Sequence, residues 1–167
     1  MFKTISPNED MDEEKDFDLN WLKAAIEEAA TRHGCRWALI DPWNEVEHLW
    51  GRQDTEATYL NRALKYLKRL ARRFQIAIII VAHPNLGGGK GVTSVADASL
   101  YDINGGAVWN NKADLGVIVW AEDVLSPDRW VKVAKSKDFI RFGQPGTVRM
   151  RFDAARSIYA AISKGAW

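Results

Sequence analysis

Two polar side chains close apolar runs in this sequence: Asp41 follows Ala38-Leu39-Ile40, and His83 follows Ile76-Ala-Ile-Ile-Ile-Val-Ala82. A carboxylate held at a strand end can bind magnesium through its waters, because Mg2+ sheds its hydration shell reluctantly and needs only one or two protein carboxylates. A histidine one strand over can sense or polarise a phosphate. Further on, Lys135, Lys137 and Arg141 concentrate positive charge shortly before Gly143 and Gly146. Those glycines permit a tight chain return, so a hairpin is expected to present the cations. Asp41, Glu45, His48 and His83 could instead surround a hydrolytic metal, but they lack a fixed ligand spacing of the His-Glu-x-x-His kind. The Gly-rich stretch Gly87-Gly-Gly-Lys90-Gly91 departs from Gly-x-x-x-x-Gly-Lys-Ser/Thr. Glycine follows the lysine where a hydroxyl must meet magnesium.

The elements that must position these residues are legible in the hydrophobic periodicity. Leu19, Leu22, Ile26, Ala29 and Ala30 share one helical face, with Asp18 as the N-cap and Gly34 as the left-handed terminator. The unbroken run Trp37–Ile40 predicts a strand buried on both faces. From about Thr55 to Phe74, Tyr59, Leu60, Ala63, Leu64, Leu67, Leu70 and Phe74 form an apolar helical stripe. The opposite face gathers Arg62, Lys65, Lys68, Arg69, Arg72 and Arg73. Such a face is usually solvated, although it can also track phosphates. Residues 76–82 predict a central strand, and Asn85 to Ser99 a mobile, Gly-rich loop. A short helix near Gly106 to Lys112 leads to a strand at Leu115 to Trp120. Beyond Ser126-Pro127-Asp128, residues 130–134, 147–152 and 157–160 alternate like antiparallel β.

Buried strands alternating with amphipathic helices predict a three-layer α/β fold with a mostly parallel sheet and a C-terminal antiparallel meander. Ligands of such sheets collect at the carboxyl ends of the strands, where Asp41 and His83 stand. At 167 residues the chain can build one real core but not two comfortable ones. Residues 1–18 read as an acidic flexible arm and 19–167 as a single domain. A formal net charge of +1 removes global charge as an argument for a nucleic-acid partner, leaving only local clusters. The single cysteine, Cys35, excludes an internal disulfide and is expected to be a buried thiol. No run reaches the roughly 20 apolar residues of a membrane span, so a cytoplasmic protein is expected. Trp43, Trp50, Trp109, Trp120 and Trp130 are expected in packing, with Trp109 the one candidate for a ligand-facing position. Asp102 and Asp114 fit turn and capping roles.

The linked words carry more than the single residues. Asp41-Pro-Trp-Asn-Glu-Val-Glu-His48, then a basic helix, then Ile-Ile-Ile-Val-Ala-His83-Pro84, resembles the ATPase domain of hexameric replicative helicases. The nearest branch is that of Twinkle and the phage primase-helicases, within the group that includes DnaB. The resemblance continues through Tyr101-Asp-Ile-Asn-Gly-Gly-Ala-Val-Trp-Asn-Asn-Lys-Ala-Asp-Leu-Gly116 and ends in Lys135-Ser-Lys137 through Arg151-Phe-Asp153. It covers the chain from roughly residue 19 onward and implies a RecA-like fold. By it, Asp41 corresponds to the Walker B aspartate that holds Mg2+. His83 takes the sensor position, where other members often have Gln. The loop carrying Lys90 falls where the family faces DNA, with Arg69 and Arg73 as further candidate contacts. Lys135 and Lys137 fall where a Lys-x-Arg pair reaches the γ-phosphate of a neighbouring subunit. Lysine cannot make the bidentate fork of a guanidinium, so Arg141 competes with Lys137 for the finger role.

The family's P-loop strand, and the strand bearing its usual catalytic glutamate, precede the region matched. The implied fold is therefore a partial RecA-like domain, incomplete on its N-terminal side. The implied function is a piece of an ATP- and Mg2+-dependent DNA helicase or primase-helicase motor. In the family that motor acts as a hexameric ring on single-stranded DNA. A non-catalytic assembly or DNA-binding module that keeps the subunit interface is the alternative, and a divergent metal-dependent hydrolase a third.

Overall fold

The computed structural model describes residues 17–48, 55–85, 95–123 and 125–162. The chain divides into two compact units, Met1–His83 and Pro84–Trp167.

The first unit runs α1 (Leu19–Arg32), β1 (Trp37–Ile40), α2 (Glu56–Phe74) and β2 (Ala77–Ile80). Asp18 starts α1 as expected: its Oδ1 accepts from the backbone N–H groups of Asn20 and Trp21 at 2.9 and 2.8 Å. Gly34 takes the left-handed conformation (φ +63°) just beyond the helix, where a Cβ would be strained. Thr55 caps α2, and the predicted stripe Tyr59, Leu60, Ala63, Leu64, Leu67 and Leu70 is buried. Leu22 and Ile26 of α1 complete this core, with α1 packed on α2. β1 and β2 pair in parallel from Trp37↔Ala77 to Ile40↔Ile80. Ile40 is buried, but Trp37, Leu39 and Ile79 are 45%, 50% and 49% exposed. The expectation of burial on both faces is corrected: the helices of this unit cover one face of the pair. Cys35 is only half-buried, not enclosed as predicted.

The second unit runs through two single 3-10 turns (Val95–Asp97 and Leu100–Asp102), α3 (Gly106–Lys112), β3 (Leu115–Trp120), β4 (Asp128–Ser136), α4 (Phe139–Phe142), β5 (Gly146–Asp153) and β6 (Ile158–Ala161). Its sheet has the order β3-β4-β5-β6, antiparallel throughout. The predicted C-terminal antiparallel meander is present as β4-β5-β6. The expectation of a mostly parallel sheet is corrected at β3, which instead pairs antiparallel with β4 and leaves β1 and β2 as the parallel pair among the described residues. The physical reason is connection length: parallel neighbours need a crossover of a dozen or more residues, which the links between β3, β4, β5 and β6 do not provide.

The expectation of a mobile loop over Asn85–Ser99 also changes. Residues 86–94 lie outside the described residues, but 95–102 are locally fastened. Ser99 and Asp102 form a reciprocal capping box, and the Lys132 ammonium on β4 donates to the carbonyls of Ala96 and Ala98 at 3.1 and 3.2 Å. A Cβ at Gly106 would collide with the backbone carbonyl of Tyr101, so only glycine allows α3 to start that close to the second 3-10 turn. Trp109 is buried, and its indole N–H donates to the Asn104 carbonyl at 2.8 Å. Its suggested ligand-facing role is therefore corrected to packing.

Candidate functional site

Asp41 directly follows β1 and His83 stands three residues beyond β2, on the carboxyl side of the parallel pair, and both are exposed. Main-chain bonds fix this placement. The Val81 N–H donates to the Ile40 carbonyl at 2.9 Å, and the Val81 carbonyl accepts from the Trp43 N–H at 2.8 Å. The chain on both sides of Asp41 is thereby tied to one residue, which stands two positions before His83. Such an end can receive a hydrated cation at the carboxylate and a phosphate oxygen at the imidazole.

A buried aromatic cluster lies under the Asp41 turn. Trp43 is buried, and its ring centroid lies 5.0 Å from that of His48. The His48 Nδ1 is 3.2 Å from the Tyr59 hydroxyl on α2. Burial pushes the His48 pKa below the usual imidazole range, with Glu56 opposing it. Burial raises the Tyr59 phenol above its ordinary value, assisted by Asp18 and opposed by Arg62. His48 is therefore a packing residue that is neutral near pH 7. Among the described residues no three His, Cys, Asp or Glu side chains gather to hold a metal, so the hydrolase-type cluster is not assembled.

The cations of the second unit separate. Lys135 stays within β4, opposite Gly116. Lys137 is turned back on its own chain: its ammonium donates to the Asn111 carbonyl at 2.9 Å and lies 3.7 Å from the Asp114 carboxylate. The expected plain hairpin tip is instead the single helical turn α4, N-capped by Asp138, whose Oδ1 accepts from the Ile140 and Arg141 N–H groups. Arg141 sits on this turn with its side chain 79% exposed, 3.3 Å from Asp138. Ile140 beside it is 98% exposed. The tip thus presents Arg141 and withholds Lys137. Arg69 and Arg73 are exposed on α2, whereas Lys90 lies outside the described residues.

One cluster escaped the sequence reading. Asp128 is buried at the start of β4 and accepts from Arg149 Nη2 at 2.6 Å and from Arg151 Nε and Nη2 at 2.7 and 3.2 Å. The hydrogen bond from Arg151 holds the Asp128 carboxyl below the usual carboxylate range, aided by the charges of both arginines and opposed by burial. Arg149 also lies over the Trp130 ring at 5.6 Å, and Trp130 stacks on Trp120 at 6.1 Å. The signal was available in the alternation Arg149-x-Arg151 opposite Asp128-x-Trp130, but only once the strand register is known. Its role is to lock β4 to β5.

No protein-family profile matches the sequence. A Twinkle homolog protein, chloroplastic/mitochondrial, from Arabidopsis thaliana is 33% identical over 105 residues, which is 60% of this chain and 14% of that protein. Among solved structures, a DnaB-like replicative helicase, described with its interactions with primase, aligns over 87% of this chain and 35% of its own with a TM-score of 0.68 at 17% identity. The RadB recombinase aligns over 78% of this chain and 55% of its own, with a TM-score of 0.51 at 12% identity. The chain thus spans less than two thirds of the length of each of these proteins. The resemblance to RecA-like helicase domains holds in sequence and in fold. Among the described residues no helix is long and apolar enough to cross a membrane.

Proposed function

We propose that this chain is part of the ATPase motor of a replicative DNA helicase or primase-helicase, coupling ATP hydrolysis to translocation along single-stranded DNA within a homo-oligomeric ring in the cytoplasm. The observation that carries this reading is the placement of Asp41 and His83 on the carboxyl side of the parallel strand pair, tied together through Val81. In this reading Asp41 holds Mg2+ through water. A lone exposed carboxylate suits that ion, which takes its remaining ligands from water and phosphate oxygens. Bound magnesium would offset negative charge on the phosphates. His83 hydrogen-bonds a phosphate oxygen, and Lys135 supports the nucleotide. Lys90, Arg69 and Arg73 contact DNA.

Of the two finger candidates, Arg141 is favoured. It is exposed on the α4 turn, whereas Lys137 is held by Asn111 and Asp114. Arg141 reaches the γ-phosphate bound by a neighbouring subunit and stabilises the charge that spreads over it in the transition state.

The 167 residues contain no Gly-x-x-x-x-Gly-Lys-Ser/Thr. The alternative reading is a non-catalytic assembly or DNA-binding module that retains the helicase interface. ATPase reconstitution separates the two. By itself the chain releases phosphate from ATP no faster than background, because no P-loop amides and lysine surround the transferring group. Joined to a P-loop-bearing segment of a Twinkle-type helicase, it gains Mg2+-dependent turnover stimulated by single-stranded DNA. Asp41→Ala abolishes that turnover. A joined chain that folds and oligomerises yet stays inert sinks the motor reading and leaves the module.

A further inference from the structure

The two most unbalanced charge runs of this chain are opposite in sign. Residues 9–16 contain six carboxylates and one cation, Lys15. Helix α2 contains six cations against one carboxylate, Glu56. One of those cations, Arg73, is answered from within the fold by Glu27 on α1 at 3.8 Å. Lys65, Arg69 and Arg72 are exposed, and among the described residues none of them has a carboxylate within ion-pair distance. Spacings of four and then three residues put these three on one face of the helix, where like charges repel and an anionic neighbour is favoured.

The acidic run is tethered beside the start of that helix. The Glu47 N–H donates to the Phe17 carbonyl at 2.9 Å, and Asp18 and Arg62 both lie within electrostatic reach of the Tyr59 hydroxyl. Further along, Glu27 of α1 meets Arg73 of α2. The two helices therefore run side by side in the same direction, and the chain preceding Phe17 departs from the Tyr59 end. Reach then decides whether the two runs can meet. From Tyr59 to Arg72 the helix rises about 20 Å at 1.5 Å per residue. Eight residues span at most roughly 26–29 Å, so residues 9–16 are long enough to pass along the whole row. A short tether makes the encounter intramolecular, at an effective concentration on the order of millimolar. Exposed ion pairs that are individually weak can then act together.

We propose that the acidic run 9–16 docks on the Lys65–Arg69–Arg72 face of α2 as a built-in polyanion. The occupant of this face is a segment of the same chain, running from Asp16 near the Tyr59 end to Glu9 near Arg72. Docking relieves two repulsions at once, that among the carboxylates and that among the cations. Any other polyanion approaching α2 must first displace this arm. The proposal goes beyond the functional reading above and does not depend on it, because no strand-end residue takes part.

Carbodiimide crosslinking of the full chain tests this, since the reagent joins a carboxylate directly to a lysine amine in contact with it. Peptide mass spectrometry then reads which lysines receive residues 9–16. Lys23 is the internal control: it is exposed on α1 and close in sequence to Asp18. An arm that is merely tethered labels Lys23 at least as well as Lys65. A docked arm should label Lys65 about tenfold more than Lys23 at low salt, as an effective concentration raised at one surface implies. The excess should vanish at 1 M salt, where the Debye length shrinks to about 3 Å. Arg69→Gln/Arg72→Gln should remove most of the Lys65 excess. Arg69→Lys/Arg72→Lys keeps the charge and adds two amines, so it carries the test even if the glutamine variant misfolds. Its position 72 should capture Glu9 and Asp10, while Lys65 captures residues nearer Asp16. Equal labelling of Lys23 and Lys65, or an excess that survives 1 M salt, overturns the docking. So do crosslinks that join two chains in place of one, which would make a second copy the occupant. Failure of the ATPase reconstitution leaves each of these readouts unaffected.

Discussion

Two buried or half-buried groups have protonation preferences that tie stability to pH in different windows. His48 has its pKa lowered by burial beside Trp43 and Tyr59. The unfolded chain therefore binds the proton more readily, and the stability His48 contributes is present above its unfolded value of about 6.5 and is lost as pH falls below it. Thermal denaturation should show a lower Tm at pH 5.5 than at pH 7.5, and His48→Phe should shrink that difference. Asp128 works at lower pH. The Arg151 hydrogen bond depresses its pKa, so its contribution is complete above the unfolded value near 3.9 and disappears as pH falls through the folded one. Asp128→Asn should lower Tm at pH 7 and leave the acid limb below about pH 4 less steep than in the native chain. An unchanged acid limb would mean that the β4–β5 ion cluster is idle. In the reconstituted motor, Arg141→Ala should lower kcat about 10³-fold while nucleotide binding survives. Lys137→Ala should act mainly on Tm. A reversal of that pattern in steady-state assays would return the finger role to Lys137.

At the scale of elements, periodicity and capping chemistry were informative because local physics decides them. The Asp18 cap, the α2 stripe, the strands at Trp37–Ile40 and Leu115–Trp120, and the helix Gly106–Lys112 stand where the sequence placed them. What could not be read locally was pairing. Leu115–Trp120 is an apolar run whether its neighbour is parallel or antiparallel, and its antiparallel partner β4 emerges only in three dimensions. The α4 turn was missed for a similar reason. Gly143 and Gly146 signalled a hairpin, whereas Asp138 uses its carboxylate to start a helical turn between them and β4. Truncating that cap with Asp138→Ala should cost about 1 kcal/mol by chemical denaturation. In a reconstituted ring it should also blunt Arg141, which loses both its scaffold and its ion-pair partner. Gly106→Ala should cost roughly 1–3 kcal/mol, since the added methyl meets backbone rather than a side chain that can rotate away. A Tm equal to that of the native chain would show that α3 can be displaced freely.

For the molecule as a whole, a near-neutral total conceals strong separation of charge. Residues 1–16 hold six carboxylates against two lysines, while the chain total is +1. Deleting residues 1–16 should therefore tighten any oligonucleotide binding at about 50 mM salt. Weaker binding after deletion would make that stretch part of the nucleic-acid surface. The sheet of the second unit leaves Val117, Val119 and Tyr159 at 48%, 57% and 50% exposure. Apolar exposure on this scale favours self-association in water. Val117→Thr together with Val119→Lys should raise the soluble yield and reduce any concentration-dependent light scattering. The Val81 junction has a different kind of consequence. Because one main-chain N–H and one carbonyl set where Asp41 and His83 stand, the positions of these two residues are written in the backbone and not in their side chains. Either side chain can then be exchanged over generations without moving its neighbour. His83→Gln should preserve the geometry at Asp41, whereas Val81→Pro, which removes the N–H, should disturb both ends at once. A site built in this way can drift in chemistry while keeping its architecture.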